Sequence, residues 1–163
     1  MITGILNILN ASIVSLGITV TPNMVDVYSE TYDIHKNELT CLAKNIYFES
    51  RGEVMLGQEA VARVSLNRVD DSNYPNSICK VVYQCNKNKV CQFSWVSNKN
   101  KTPSNNAEWQ KAMYVAMLSH YKYINNEPDP TDGATMFHST TVKPYWRKSY
   151  DKTVKIGNHV FYR

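Results

Sequence analysis

Several familiar signatures are missing from this chain of 163 residues, and each absence removes a class of function. There is no tight C-x2-4-C pair of the kind structural zinc sites use, although four cysteines are present. No H-E-x-x-H pair occurs, which argues against a metalloprotease-type zinc site. Neither an internal repeat nor a low-complexity segment is found, and no nucleic-acid-binding motif accompanies the net charge of +4. Positive charge is itself absent from the start: no Lys or Arg precedes Lys36, whereas Asp26, Glu30 and Asp33 do. The remainder is therefore clearly basic, with Lys143, Arg147, Lys148, Lys152, Lys155 and Arg163 near the end against Asp151 alone. Such a surface favours an anionic polymer such as nucleic acid, anionic lipid or bacterial wall, without choosing among them.

What is present suits one globular domain. The apolar share of 43% matches an ordinary core and excludes a multispan membrane protein. Met1 to Val25 carries no charged side chain. It reads as a signal peptide or signal anchor, yet it lacks a basic leader and an A-x-A site, so a buried helix or a docked apolar arm is the alternative. Residues 26 to 36 are mixed and polar and read as a linker, dividing the chain into an N-terminal segment of residues 1–36 and a domain of residues 37–163. Cysteines in even number fit an oxidising compartment. Their spacing favours a Cys79–Cys91 bridge closing the loop VVYQCNKNKV, with Cys41 and Cys85 undecided.

Periodicity predicts mostly helices. Leu39, Leu42 and Ile46 recur at helical spacing, so a helix capped by Asn37 should run to about Arg51 and stop near Gly52. Gln58 to Val69 reads as a second helix, and Ser77 as the cap of a short one through Val82. VCQFSWV is β-like by composition. Ser104 or Asn106 opens the longest helix, with Trp109, Met113, Ala116, Met117 and Tyr121 as its core stripe. Gly157-Asn158 between VKI and HVFY signals a hairpin. The fold class expected is α+β, predominantly α, with a small β element.

Two carboxylates in IYFESRGE carry the chemical interest. Glu49 lies three residues beyond Ile46 and seven beyond Leu42, so it falls near the apolar face of its helix. A carboxyl there loses hydration and holds its proton to higher pH, as a general acid requires. Pairing with Arg51 or Arg63 to brace the fold is the structural alternative. Glu53, beyond Gly52, reads as a supporting residue, as does Arg51.

The run CLAKNIYFESRGEVMLGQEAVARVSLNRV resembles the spore-cortex-lytic-enzyme (SleB-type) family of cell-wall hydrolases. The likeness continues through YPNSICKVVYQ, CQFSW, GATMFH and IGNHVFYR, from Cys41 to Arg163. It implies a compact lysozyme-like domain that cleaves the glycan strand of peptidoglycan, similar to lytic transglycosylases, in which one glutamate acts as acid and base. That residue corresponds to Glu49; Ser50 departs from the alanine common in the family. The resemblance also implies that Gln92, Phe93 and Ser94 line the substrate groove, with Tyr47, Phe137 and His138 as neighbours of Glu49. Trp95 and Trp146 are candidates for sugar stacking, and His159 reads as structural. A two-carboxylate mechanism would need a second acid among Glu53, Asp70, Asp71 and Asp132. No metal or other cofactor is implied. The expected partner is the peptidoglycan glycan, with no nucleic acid, membrane contact only through the N-terminal segment, and a monomeric state. Export to the periplasm or cell wall, from a phage or a bacterium, completes the expectation.

Overall fold

The computed structural model describes residues 19–98 and 101–163. Most of the apolar N-terminal stretch, up to residue 18, lies outside these, and the signal or anchor reading with it.

The first described helix, α1 (Pro22–Thr31), corrects the linker reading. Thr21 caps it by accepting the Met24 amide at 3.3 Å, and Pro22 occupies its first turn, where no amide is needed. Its Tyr28 is buried, and the hydroxyl donates to the Met117 carbonyl at 2.9 Å. Residues 26 to 31 are thus part of a helix packed on the core, because Met24, Val25, Tyr28 and Tyr32 form an apolar stripe that crosses the boundary drawn at Val25.

Helix α2 (Lys36–Ser50) buries Leu39, Leu42 and Ile46 completely. His35 holds its N-cap position, so Asn37 sits inside the first turn instead of capping it. Helix α3 (Met55–Asp70) follows after a tight turn stitched by Gln58, whose amide donates to the carbonyls of Arg51 and Glu53. A short α4 (Ile78–Val82) packs on α2, and α5 (Asn106–Ile124) crosses both longer helices. Asn105 caps α5 through its side chain, accepting the Glu108 amide at 3.1 Å. The segment expected to be β-like is instead a 3-10 turn, Ser94–Ser97, because Trp95 folds back into the helical core.

Three short strands close the chain: β1 (Met136–Ser139), β2 (Lys152–Ile156) and β3 (His159–Tyr162). They form an antiparallel sheet in the order β1-β3-β2, with Phe137 opposite Phe161 and Gly157-Asn158 turning β2 into β3. The fold is therefore α+β and mainly helical. A large core joins α1, α2, α4 and α5 with one face of α3 through Ala62 and Leu66, while a smaller one of Ala60, Val64, Ala134, Ile156 and Phe161 joins the other face of α3 to the sheet.

The disulfides are Cys41–Cys79 and Cys85–Cys91, not Cys79–Cys91. Cys79 lies at the start of α4, whose amide there donates to the Glu38 carboxylate on α2, and this contact brings Cys41 alongside. Cys85 and Cys91 face each other across a small hairpin closed by backbone bonds between Asn86 and Val90 and between Gln84 and Gln92.

Candidate active site

A cleft of about 590 Å³ opens between the helical body and the sheet. Glu49 from α2 and Arg68 from α3 form one side; Met136, Phe137, His138 and Ser139 of β1 with His159 of β3 form the other. Its rim is made by Val142, Trp146 and the disulfide-closed hairpin, which contributes Gln84, Asn86, Val90 and Gln92. Glu49 is the only carboxylate lining it among the described residues.

Helix phase explains the position of Glu49. It stands at the edge of the buried stripe, half-buried, in the last turn of α2. Burial holds its carboxyl above the ordinary glutamate range, opposed by the positive charges of Lys101 and Arg68. The bracing partners expected from sequence are engaged elsewhere: Arg51 lies over the Tyr47 ring at 5.0 Å, and Arg63 pairs with Asp129 at 3.5 Å.

Of the residues expected around Glu49, the cleft brings together Gln92, Phe93, Phe137 and His138. Tyr47 is not among them. Two residues before Glu49 it points to nearly the opposite side of the helix, where its hydroxyl accepts the amides of Ser104 and Asn105 and fixes the start of α5. Ser94 is exposed and outside the lining, because alternate residues here point in and out and Phe93 takes the inner place. Trp95 is core, its indole nitrogen donating to Asn45 at 3.1 Å, whereas Trp146 does reach the cleft. Glu53 lies behind the wall: its carboxylate accepts the Asn158 backbone amide at 3.1 Å and side-chain amide at 3.0 Å, tying the β2–β3 turn to the helical body. Asp70, Asp71 and Asp132 do not line the cleft. Among the described residues, no group of three or more His, Cys, Asp or Glu is arranged to hold a metal ion.

The two histidines divide their roles unexpectedly. Both ring nitrogens of His138 are engaged, Nδ1 with the Ser139 carbonyl at 2.8 Å and Nε2 with the Tyr162 hydroxyl at 3.0 Å. A carbonyl only accepts, so Nδ1 carries the hydrogen, and in the neutral ring Nε2 accepts from Tyr162. His138 therefore offers the cleft its ring, packed edge-on against Trp146 at 5.6 Å. His159 is buried in the cleft wall, its Nδ1 without a partner among the described residues; burial lowers its pKa, against the negative charge of Glu53, which raises it.

Sequence reasoning passed over Arg68 altogether as a cleft residue. It is seven residues beyond Val61 and four beyond Val64, both fully buried, so the phase argument applied to Glu49 would have found it. In the cleft-lining hairpin only Gln92 was signalled, through the CQFSW motif; Gln84, Asn86 and Val90 join it once the backbone bonds and the Cys85–Cys91 bridge close the turn.

The chain matches the family called Cell Wall Hydrolase over residues 52–162. It is 32% identical over 127 residues to the spore cortex-lytic enzyme of Bacillus cereus, covering 77% of this chain and 44% of that protein. Against the spore cortex-lytic enzyme of Halalkalibacterium halodurans the identity is 30% over 128 residues, covering 77% and 34%. The chain thus spans less than half the length of these relatives. Among solved structures it is similar to the catalytic domain of the Bacillus cereus SleB protein, with TM-score 0.58, 32% identity, and 79% and 91% of the two chains covered. It is also similar to the catalytic domain of the germination-specific lytic transglycosylase SleB from Bacillus anthracis, with TM-score 0.61, 31% identity, and 81% and 98% covered. A match that spans most of the chain, joined to the same mainly helical fold, means that this chain belongs to the cell wall hydrolase family.

Proposed function

We propose that this chain degrades peptidoglycan outside the cell membrane, cleaving the glycan bond between N-acetylmuramic acid and N-acetylglucosamine with Glu49 as its one acid–base residue. The observation that carries this reading is a carboxyl, alone of its kind in an open cleft among the described residues and held above the ordinary glutamate range by burial, facing aromatic rings, amides and one arginine. A glycosidase using two carboxylates needs both flanking the scissile bond, and here no second one lines the cleft among the described residues.

The chemistry follows from that single acid. The Glu49 O–H bond breaks, and its proton goes to the glycosidic oxygen. The bond from that oxygen to C1 of the muramyl sugar then breaks with its electron pair, leaving an oxocarbenium-like centre. The Glu49 carboxylate next takes the proton of the muramyl 6-hydroxyl as that oxygen attacks C1, which closes a 1,6-anhydro ring and restores the acid. Trp146 supplies a ring face for a sugar, and Gln92 and Asn86 supply amides for its hydroxyl and acetamido groups.

Digestion of purified peptidoglycan followed by mass analysis of the fragments tests this. Anhydro ends are expected, and they should disappear with Glu49→Gln. Reducing ends would replace the transglycosylase route with hydrolysis by a muramidase. New free amino groups without glycan cleavage would overturn the reading in favour of an amidase or peptidase. Activity should persist in excess chelator; its loss would point to a metal-dependent route.

A further inference from the structure

Arg68 is one of the most buried charged side chains described, 3% exposed, and it is held from several sides. Its Nε donates to the Thr135 carbonyl at 2.7 Å and Nη2 to the Met136 sulfur at 3.5 Å. The guanidinium lies over the rings of Tyr74 at 5.1 Å and Phe93 at 5.2 Å. Nη1 is sealed from solvent without a hydrogen-bond partner, and no ion pair to Arg68 forms among the described residues. A cation so placed costs free energy unless an opposite charge compensates it. Among the described residues, Glu49 is the one acidic side chain in the cleft that Arg68 lines.

We propose that Arg68 is the electrostatic partner of Glu49, a fixed buried cation that stabilises the carboxylate left on Glu49 once its proton has gone to the glycosidic oxygen. The chemistry rests on the function proposed above; the pairing of the two charges does not. With Nη1 sealed and Nε and Nη2 bonded to Thr135 and Met136, Arg68 acts through Glu49, as a positioning residue. The neutral acid gains little from a neighbouring cation, whereas the carboxylate that develops as the O–H bond breaks gains directly, so the interaction strengthens along the reaction.

Other charges face the same carboxyl. Lys101 lies beside α2, over the Phe48 ring at 5.0 Å; it is exposed, and water and salt screen it. His138 and His159 face it from the sheet, and Tyr74 and Tyr150 lie close enough to Arg68 to act on its charge. Burial raises the Glu49 pKa, and Lys101 and Arg68 lower it. Of the two cations only Arg68 is rigid and shielded, so its influence should survive high salt.

The test is Arg68→Gln beside Arg68→Lys, reading glycan cleavage against pH and, separately, the Glu49 side-chain carboxyl by 13C NMR titration. Removing the cation disfavours the carboxylate, so the proton is held to higher pH. In Arg68→Gln the alkaline limb of kcat and the NMR midpoint should both rise by about one pH unit, with kcat about tenfold lower and KM little changed. Arg68→Lys should restore most of both shifts, and Lys101→Gln should give a smaller shift that vanishes in 1 M salt. Arg68→Met, which keeps the aliphatic stem between the two rings, replaces the glutamine variant if that does not fold. An unmoved Glu49 midpoint in a folded variant overturns the proposal. If the wild-type protein releases no glycan fragments, the proposed function fails, and the carboxyl titration still decides this one.

Discussion

Glu49 and His159 face one cleft from opposite sides, and the two sides are anchored differently. Around Glu49, α2 buries Leu39, Leu42 and Ile46 completely and is bridged to α4 by Cys41–Cys79. Its Asn45 links α3 and the 3-10 turn through Ser65 and Trp95, both at 3.1 Å. Around His159 the sheet has strands of four, five and four residues, an irregular register between Lys152 and Lys155, and a core of only five buried residues. Glu49 is thus mounted on the part with the larger buried apolar core. Of the groups that would meet a bulky polymer, His138 and His159 sit on the part that opens at lower cost, and Gln92 and Asn86 sit on the disulfide-closed hairpin.

The largest effect should come from Glu49→Gln. A general acid contributes on the order of 10²–10⁴ in rate, so glycan cleavage should fall about a thousandfold while thermal unfolding barely changes. A variant that kept activity would remove the helical side from the chemistry. The two disulfides give the next comparison. Cys41–Cys79 closes a separation of 38 residues and Cys85–Cys91 one of 6, so chain entropy assigns them about 4 and about 2 kcal/mol. Paired serine substitution at Cys41 and Cys79 should lower stability more, whereas the Cys85 and Cys91 pair should affect KM more, because only that hairpin lines the cleft. Calorimetry and cleavage kinetics on both variants read this directly.

Much of the helical side was legible in sequence, and the reason is periodicity. Leu39, Leu42 and Ile46 mark α2 by themselves, and their phase also places Glu49 at the cleft edge. On the sheet side periodicity showed only the hairpin at Gly157-Asn158, and Phe137 and His138 came from the GATMFH motif. What distinguishes His138 from His159 is which ring nitrogens find partners, and Ser139 and Tyr162 provide those only after folding. The cysteines show the same limit. Equal spacing along the chain made Cys79–Cys91 attractive, but one interval is mostly helix and the other a hairpin, so only the second can close on itself. Helix α1 was hidden by composition, since its apolar stripe is thin and exposed Glu30 and half-buried Asp26 interrupt it in sequence.

A pH experiment probes the helical side from within. His120 on α5 contacts the Tyr28 hydroxyl at 3.0 Å, and burial lowers its pKa from 6.5 to about 4. A depressed histidine favours the folded state when neutral, so its contribution is present above pH 6.5 and is lost as pH falls toward 4. Allowing for partial solvent access, the loss should be about 2 kcal/mol, and His120→Gln should flatten that part of the stability curve. Glu49 acts in the opposite direction: its raised pKa costs stability as pH rises above 4.5, and Glu49→Gln should remove that slope.

The smallest effect tests whether the two sides open separately. Glu53 accepts both amides of Asn158, and a Cβ added at Gly157, which has φ +55°, would meet its carboxylate oxygen at 2.0 Å. The close approach therefore depends on glycine, and the clamp ties the hairpin carrying His159 to the turn after α2. Glu53→Ala should cost about 1 kcal/mol, because the bonds are exposed and water replaces them. Hydrogen exchange should then quicken at His159 and Val160 but not at Leu42 or Ile46. Cleavage should weaken a few-fold, mainly through KM, since the acid is undisturbed and only the opposing side has loosened. Equal loss of protection on α2 would mean that both sides unfold as one cooperative unit, and the contrast in their anchoring would have no dynamic consequence.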